Sequence, residues 1–280
     1  MSSIRVVDFR SSAAPQAFSQ GLKEIGFAVL SHHPISQTLI DRAYQEWGDF
    51  FKSDEKHQFA FDPVKHDGYI SRQLSETAKG YNVKDIKEFF HYYRNGRCPE
   101  SCLKTTKQLA VELTSMASTL LNWIGENVPA TIRENFSMPL PDMIKNSDRT
   151  LFRLIHYPPL TGHEPKGAMR AAAHGDINLL TLLPAATAEG LQVKDAQGNW
   201  IDVPINPSWM IVNAGDMLEE CTQHYYPSTQ HRVMNPVGEA AKKSRLSMPL
   251  FLHPRDEVVL SHRHTAGSYC AERYAELGLK

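Results

Sequence analysis

Residues 151–159 read Leu-Phe-Arg-Leu-Ile-His-Tyr-Pro-Pro, a β-type run closed by a proline pair that cannot continue a hydrogen-bonded ladder. The same texture recurs downstream. Leu179–Leu183, Leu191–Val193 and Trp200–Val203 are short apolar runs, the last two separated by the turn-forming stretch Asp195–Asn199. Trp209–Asn213 stops at Ala214-Gly215-Asp216, His231–Met234 at Asn235-Pro236, and Arg245–Leu252 at His253-Pro254. Many short strands with regular turn punctuation predict a sandwich or barrel, and a double-sheet jelly roll is one way such strands avoid open edges.

Upstream the signals are mostly helical. Short strands are expected around Ile4–Phe9 and over Gly26–Leu30, with a helix between them from Pro15 to Ile25. Ser36 is a candidate N-cap for a longer helix through Leu39, Ala43, Trp47 and Phe51. Between Cys102 and Asn127, residues Leu109, Leu113, Met116, Leu120 and Ile124 recur at steps of three and four, one apolar helix face that reads as packing. The fold expectation is therefore α+β, mainly β. One domain spans 1–280, with a helical N-terminal region (1–135), a strand-rich core (150–260) and a C-terminal segment (261–280).

Composition narrows the function classes. The chain has 280 residues, 41% hydrophobic and 22% charged, an ordinary balance for a globular domain with a large core. Thirty basic against thirty-one acidic residues leave a net charge of -1, so no basic surplus favours a nucleic-acid partner. Cys98 and Cys102 lack a nearby second Cys/His pair, and the four cysteines read as free thiols of a reducing compartment. No secretory signal and no membrane span are expected, which predicts a cytoplasmic protein. Oligomeric state is not legible, with monomer the default.

Two constellations carry chemistry. In His174-Gly175-Asp176, residues i and i+2 of a strand face the same side and can reach one ion together. His231, 55 positions after Asp176, would complete a two-histidine, one-carboxylate set, leaving the opposite positions of an Fe(II) ion open. With thirteen histidines in the chain such pairs also arise by chance, and a histidine held by a structural aspartate is the competing interpretation. Arg245-Leu246-Ser247 follows fourteen residues after His231 and puts a guanidinium and a hydroxyl on one strand face, matched to a carboxylate. A surface arginine paired with a neighbouring acid is the alternative. The order H-x-D, H, R-x-S is far rarer by chance than any piece.

These motifs bring in a resemblance. With Arg153–Pro159, Leu179–Leu183, Gly190–Val193, Asn213–Leu218, Ser228–Val233 and Arg245–Phe251 in this order, and Gly26-Phe27, Lys79-Gly80 and Asp85–Phe89 upstream, the chain resembles the 2-oxoglutarate/Fe(II)-dependent oxygenases of the isopenicillin-N-synthase-like group over nearly its whole length. The resemblance implies a double-stranded β-helix (jelly-roll) core with flanking helices and a non-haem dioxygenase using Fe(II), 2-oxoglutarate and O2. It implies His174, Asp176 and His231 as metal ligands. Arg245 and Ser247 would hold the distal carboxylate of 2-oxoglutarate, with Tyr157 a further donor. Two departures stand out: Ile155 where relatives often have Asn, and Gln223-His224 in the loop before His231.

The implied reaction is hydroxylation, desaturation or ring closure of a small molecule, with succinate and CO2 as co-products. Two other readings compete: an Fe(II)/O2 oxidase of the same family that does not use 2-oxoglutarate, and a non-catalytic β-barrel binding protein. Tyr69, Arg72, Tyr81, Phe90, Tyr92 and Arg94 are candidates for the substrate pocket and suit a small carboxylate-bearing substrate. His224 is a candidate base or a solvated loop residue. His156 is expected on the strand face opposite Tyr157, and His253, His262 and His264 form no spaced set with a carboxylate.

Overall fold

The computed structural model describes residues 4–75 and 83–276. Tyr81, Lys79 and Gly80 lie outside them. Thirteen strands are present among the described residues: β1 (Val6–Asp8), β2 (Phe27–Ser31), β3 (Gly68–Ile70), β4 (Glu88–Tyr92), β5 (Leu151–Tyr157), β6 (Ala171–His174), β7 (Leu180–Pro184), β8 (Leu191–Lys194), β9 (Trp200–Asp202), β10 (Met210–Ala214), β11 (His231–Val233), β12 (Arg245–Ser247) and β13 (Leu250–Leu252). The larger sheet runs β1-β2-β10-β7-β13-β5-β4-β3 with β12 also on β5, and the smaller one runs β6-β11-β8-β9. All pairings are antiparallel except β1 with β2. The two sheets form the expected jelly-roll core.

Alternation along the strands divides the interior in two. Ala28 and Leu30 of β2, Phe90 and Tyr92 of β4, Phe152 and Leu154 of β5, and Leu180 and Leu182 of β7 pack outward against three helices, α1 (Ala14–Ile25), α2 (Gln37–Lys52) and α3 (Glu100–Asn127). Their neighbours Phe27, Val29, Leu183 and Ile211 pack inward against Val193 and Val203 near the smaller sheet. Phe89, Ile155 and Tyr157 do the same against Ala171 and Val233. Both faces of the larger sheet are buried, and its strands accordingly read as continuous apolar runs.

Three local expectations change. The N-terminal region holds the two short strands expected there, β1 and β2, and two that were not, β3 and β4; strands of three to five residues are too short for periodicity to separate from loops. The run Arg245–Leu252 is two strands, because Pro249 has no N–H to donate; its carbonyl accepts from the Arg153 N–H at 3.0 Å instead. β12 therefore pairs with the Tyr157 end of β5 and β13 with the Phe152 end. Ser36 occupies the N-cap position of α2 without a side-chain capping bond.

Helix α1 ends at Gly26, whose φ of 71° is left-handed. A Cβ there would also meet the Pro227 carbonyl at 2.4 Å and Thr229 Oγ1 at 2.5 Å, so a glycine lets α1 approach the loop that leads into His231.

Trp47 anchors the helical layer. It is 1% exposed, meets the rings of Phe50, Phe51 and Phe90, and donates its indole N–H to Thr106 Oγ1 at 2.9 Å across α2 and α3. Trp47→Ala is expected to cost about 3–5 kcal/mol in urea unfolding. Thr106→Val, which strands the buried indole N–H, should cost about 1–3 kcal/mol.

Candidate metal centre and carboxylate site

His174 ends β6 and His231 begins β11, and the two are direct cross-strand partners. The register shifts between His231 and Val233, so that Val233 faces Ala171. Such an irregularity re-aims side chains, and the two imidazoles come to lie with ring centroids 4.4 Å apart. Asp176 does not share the strand with His174, as the spacing predicted. β6 stops at His174, and Asp176 sits in the following loop, its carbonyl accepting the Asp216 N–H at 2.7 Å. The turn is packed tightly against Gly215, where a Cβ would stand 2.1 Å from the Asn178 carbonyl.

The Asp176 carboxylate is held from behind. Its Oδ2 accepts from Thr181 Oγ1 at 2.6 Å and from Asn213 Nδ2 at 2.8 Å, and Asn178 Nδ2 in turn donates to Thr181 Oγ1 at 2.8 Å. This leaves Oδ1 facing His231 Nε2 at 3.6 Å and His174 Nε2 at 4.0 Å. The three donor atoms lie within 4.8 Å of one another, the spacing of groups that could share one ion. His174 Nδ1 contacts the Ala172 carbonyl at 2.7 Å and His231 Nδ1 the Thr229 carbonyl at 3.3 Å. With each Nδ1–H donating to its carbonyl, both Nε2 lone pairs point at the centre.

Electrostatics prepare the same donors. Burial pushes His174 down to about 4, and the neighbouring His231 adds to that. Burial would raise the Asp176 carboxyl, but the two imidazoles and the bonds from Asn213 and Thr181 outweigh it and hold it below the usual carboxylate range. At neutral pH the centre therefore offers a neutral imidazole at His174 and an anionic carboxylate, the forms a cation requires.

Arg245 and Ser247 share one face of β12 as expected, 2% and 4% exposed, opposite Tyr157 and Ile155 of β5. The Arg245 guanidinium lies 5.1 Å from the Tyr157 ring centroid and donates through Nε to the Ala188 carbonyl at 2.9 Å. Its Nη1 is buried without a partner, and no carboxylate pairs with it among the described residues. Arg245 also borders a narrow cleft, open to solvent, between Leu183 and Ile211 of the larger sheet and Leu191 and Val203 near the smaller one. Tyr157 and Ile155 pack against Ala171 and Val233, on the strands that carry the two histidines, so both constellations belong to one inter-sheet space.

Other expectations fare differently. Tyr69, Phe90 and Tyr92 face the helical layer, and Arg72 and Arg94 are exposed. The β4 residue that faces the inter-sheet space is Phe89, one position out of phase. His224 is exposed in a left-handed conformation, 3.4 Å from Glu219 Oε1. His156 does lie opposite Tyr157, stacked on Phe51 and 2.7 Å from Glu88 Oε1. His253 differs from its tail neighbours: burial pushes it down to about 4, and it feels the charges of Asp176 and Arg153. Sequence reasoning also missed the roles of Thr181 and Asn213, and the buried pair Lys87–Asp85, whose Asp85 Oδ1 accepts the Ala172 N–H at 3.0 Å. Only the close approach of distant strands reveals these.

Comparison with known proteins gives the family. Residues 149–254 match the model of the 2OG-Fe(II) oxygenase superfamily, and residues 4–109 match the N-terminal model of a non-haem dioxygenase in morphine synthesis. An oxygenase of known structure from Shewanella oneidensis is 47% identical, with a TM-score of 0.91 and 100% coverage of both chains. A 2OG-Fe(II) oxygenase family protein from Caulobacter crescentus is 30% identical, with a TM-score of 0.80 over 99% of this chain and 100% of that one. Gibberellin 2-beta-dioxygenase 1 of Arabidopsis thaliana is 26% identical over 266 residues, 90% of this chain and 78% of its own.

Asn213→Ala and Thr181→Val should each weaken metal affinity about 10–100-fold, read by anaerobic metal titration, because Oδ1 of Asp176 loses its fixed aim. Acidification should destabilise the metal-free protein. His253 and His174 titrate near 4 when folded against about 6.5 when unfolded, so between those values the unfolded chain binds more protons. Stability present above about pH 6.5 is then lost as pH falls toward 4. His253→Asn should flatten the fall in Tm between pH 7 and 5.

Proposed function

This chain belongs to the 2OG-Fe(II) oxygenase superfamily, and on that premise we propose that Nε2 of His174, Oδ1 of Asp176 and Nε2 of His231 hold its Fe(II), while Arg245 and Ser247 receive the distal carboxylate of 2-oxoglutarate. The protein is a non-haem Fe(II)- and 2-oxoglutarate-dependent dioxygenase. The observation that carries the assignment of residues is the convergence of three donors, each oriented by a hydrogen bond on its far side. Two imidazoles and a carboxylate on one face are the donor set that leaves Fe(II) open positions. The orphaned Nη1 of a buried arginine fits an incoming carboxylate.

When bound, Fe(II) and 2-oxoglutarate together activate O2 to oxidise a substrate C–H bond, with succinate and CO2 as co-products. The chain's residues do the positioning. Asp176 contributes the single protein charge at the metal, and its bonds to Thr181 and Asn213 keep the second oxygen from competing. Arg245 offers a charged fork and Ser247 a hydroxyl on the same strand face, with Tyr157 as the adjacent donor. Leu183, Val193 and Ile211 line the inter-sheet space and exclude water, which strengthens each of these electrostatic contacts.

The substrate is a small molecule, and a carboxylate-bearing one is favoured. Arg153 lies on the same strand face as Ile155 and Tyr157, with its guanidinium 4.7 Å from the Phe89 ring centroid and 5.4 Å from that of Phe251. Lys87, near the same Phe89 ring, is neutralised by Asp85 and takes no part in this reading. Cations beside aromatic rings suit an anionic group attached to an apolar body. Among the described residues no helix is long and apolar enough to cross a membrane, and four free thiols support a reducing, cytoplasmic setting.

Anaerobic addition of Fe(II) and 2-oxoglutarate should give the weak visible charge-transfer band of the ternary complex. His174→Ala, Asp176→Ala and His231→Ala should each abolish it; its survival in His231→Ala would refute the ligand set. Arg245→Met should retain the metal and weaken 2-oxoglutarate about 30-fold or more. Succinate release stimulated by amino acids and related acids then identifies the substrate class.

A further inference from the structure

Elsewhere in this fold, the cations buried beside the inter-sheet space or behind it meet carboxylates. Lys87 Nζ is 2.9 Å from Asp85 Oδ2, and Lys56 Nζ is 3.2 Å from Glu88 Oε2. The Glu88 carboxylate is further satisfied by Tyr69 and His156, so that cluster is closed on itself. Two arginines depart from this pattern. Arg245 is one; the other is Arg170, which sequence reasoning did not single out.

Arg170 is 1% exposed and immediately precedes β6. Its backbone N–H donates to Asn235 Oδ1 at 2.8 Å, and its Nη2 donates to the Lys243 carbonyl at 2.9 Å, two residues before Arg245. The guanidinium is thus tethered at the start of β12, beside the strand face that carries Arg245 and Ser247. Its Nε has no partner, Nη1 of Arg245 has none either, and no acid pairs with either arginine among the described residues. Burial and the charge of Arg245 both weaken Arg170's hold on its proton, and the Tyr157 phenol only partly offsets them. An arginine nevertheless stays charged. Two like charges buried together without a counter-ion are costly, and a carboxylate entering between them relieves both.

We propose that Arg170 is a second cation of the carboxylate site, acting with Arg245 to favour a 2-oxo acid with a distal carboxylate over one without. The proposal rests on the reading that Arg245 receives that carboxylate. A purely structural role, clamping the loop 235–243, would need only one donor to the Lys243 carbonyl and no charge. Glutamine can supply that donor; lysine supplies the charge without the fork.

The test uses the Fe(II)-loaded protein under anaerobic conditions, titrated through its charge-transfer band with 2-oxoglutarate and with 2-oxovalerate, which has the same chain length but no distal carboxylate. Arg170→Gln should weaken 2-oxoglutarate at least about tenfold and leave 2-oxovalerate within about twofold, and Arg170→Lys should recover most of the loss. Equal weakening of both ligands, no weakening of either, or failure of Arg170→Lys to outperform Arg170→Gln overturns the proposal. Arg170→Met, which keeps an apolar stem in the packing, carries the comparison if Arg170→Gln does not fold. Arg245→Met run in parallel separates the two readings. If it leaves 2-oxoglutarate binding intact, the carboxylate site itself has been misplaced and the role of Arg170 falls with it.

Discussion

The Asp176 carboxylate joins the two sheets of this fold through opposite oxygens. Oδ2 is bound by Thr181 of β7 and Asn213 of β10, both in the larger sheet, while Oδ1 faces His174 and His231 of the smaller sheet. A loop aspartate is ordinarily free to rotate, and the site depends on this one not doing so. Its backbone is fixed as well, by the Asp216 N–H on its carbonyl and by the close packing of Gly215 on Asn178. The proposed metal site therefore draws on contacts made by the whole sandwich.

The histidines are constrained by the same economy of parts. Each uses its Nδ1 on a carbonyl two residues earlier in the chain, Ala172 for His174 and Thr229 for His231. The loop bearing Thr229 is packed under Gly26, and the ring of Phe27 meets that of His231 edge-on at 5.4 Å. The start of β2, far from the site in sequence, thus supports the ring of a proposed metal ligand. The burial that lowers the proton affinity of His174 also keeps it a neutral donor at physiological pH.

Charge is distributed unevenly through the interior. Lys87 and Lys56 are neutralised by acids of the chain itself, whereas Arg170 and Arg245 meet no acid among the described residues. The inter-sheet space consequently has a cationic region at β12, while the proposed metal donors lie on β6, β11 and the loop beyond β6. A dicarboxylate can satisfy a metal at one end and a guanidinium at the other. An apolar wall of Leu183, Val193 and Ile211 makes both interactions stronger than they would be in water.

The amino-acid sequence by itself determined the strand-rich core, because runs such as Leu151–Tyr157 and Trp209–Asn213 are bounded by prolines, glycines and asparagines whose backbone preferences act locally. It also offered candidates for the chemistry: Arg245 and Ser247 share a face through the period of a strand, and the ordered motifs suggested His231 as partner to His174 and Asp176. Tertiary structure decided the rest. Phase along β4 turned Phe89, not Phe90 or Tyr92, toward the inter-sheet space, since which face of a strand is inward depends on the layer packed on the other side. Asp176 reached the histidines from a loop, held by Thr181 and Asn213 on strands that only folding brings near. Arg170 carried no motif at all; its place beside Arg245, with no acid partner among the described residues, exists only once β6 and the start of β12 meet.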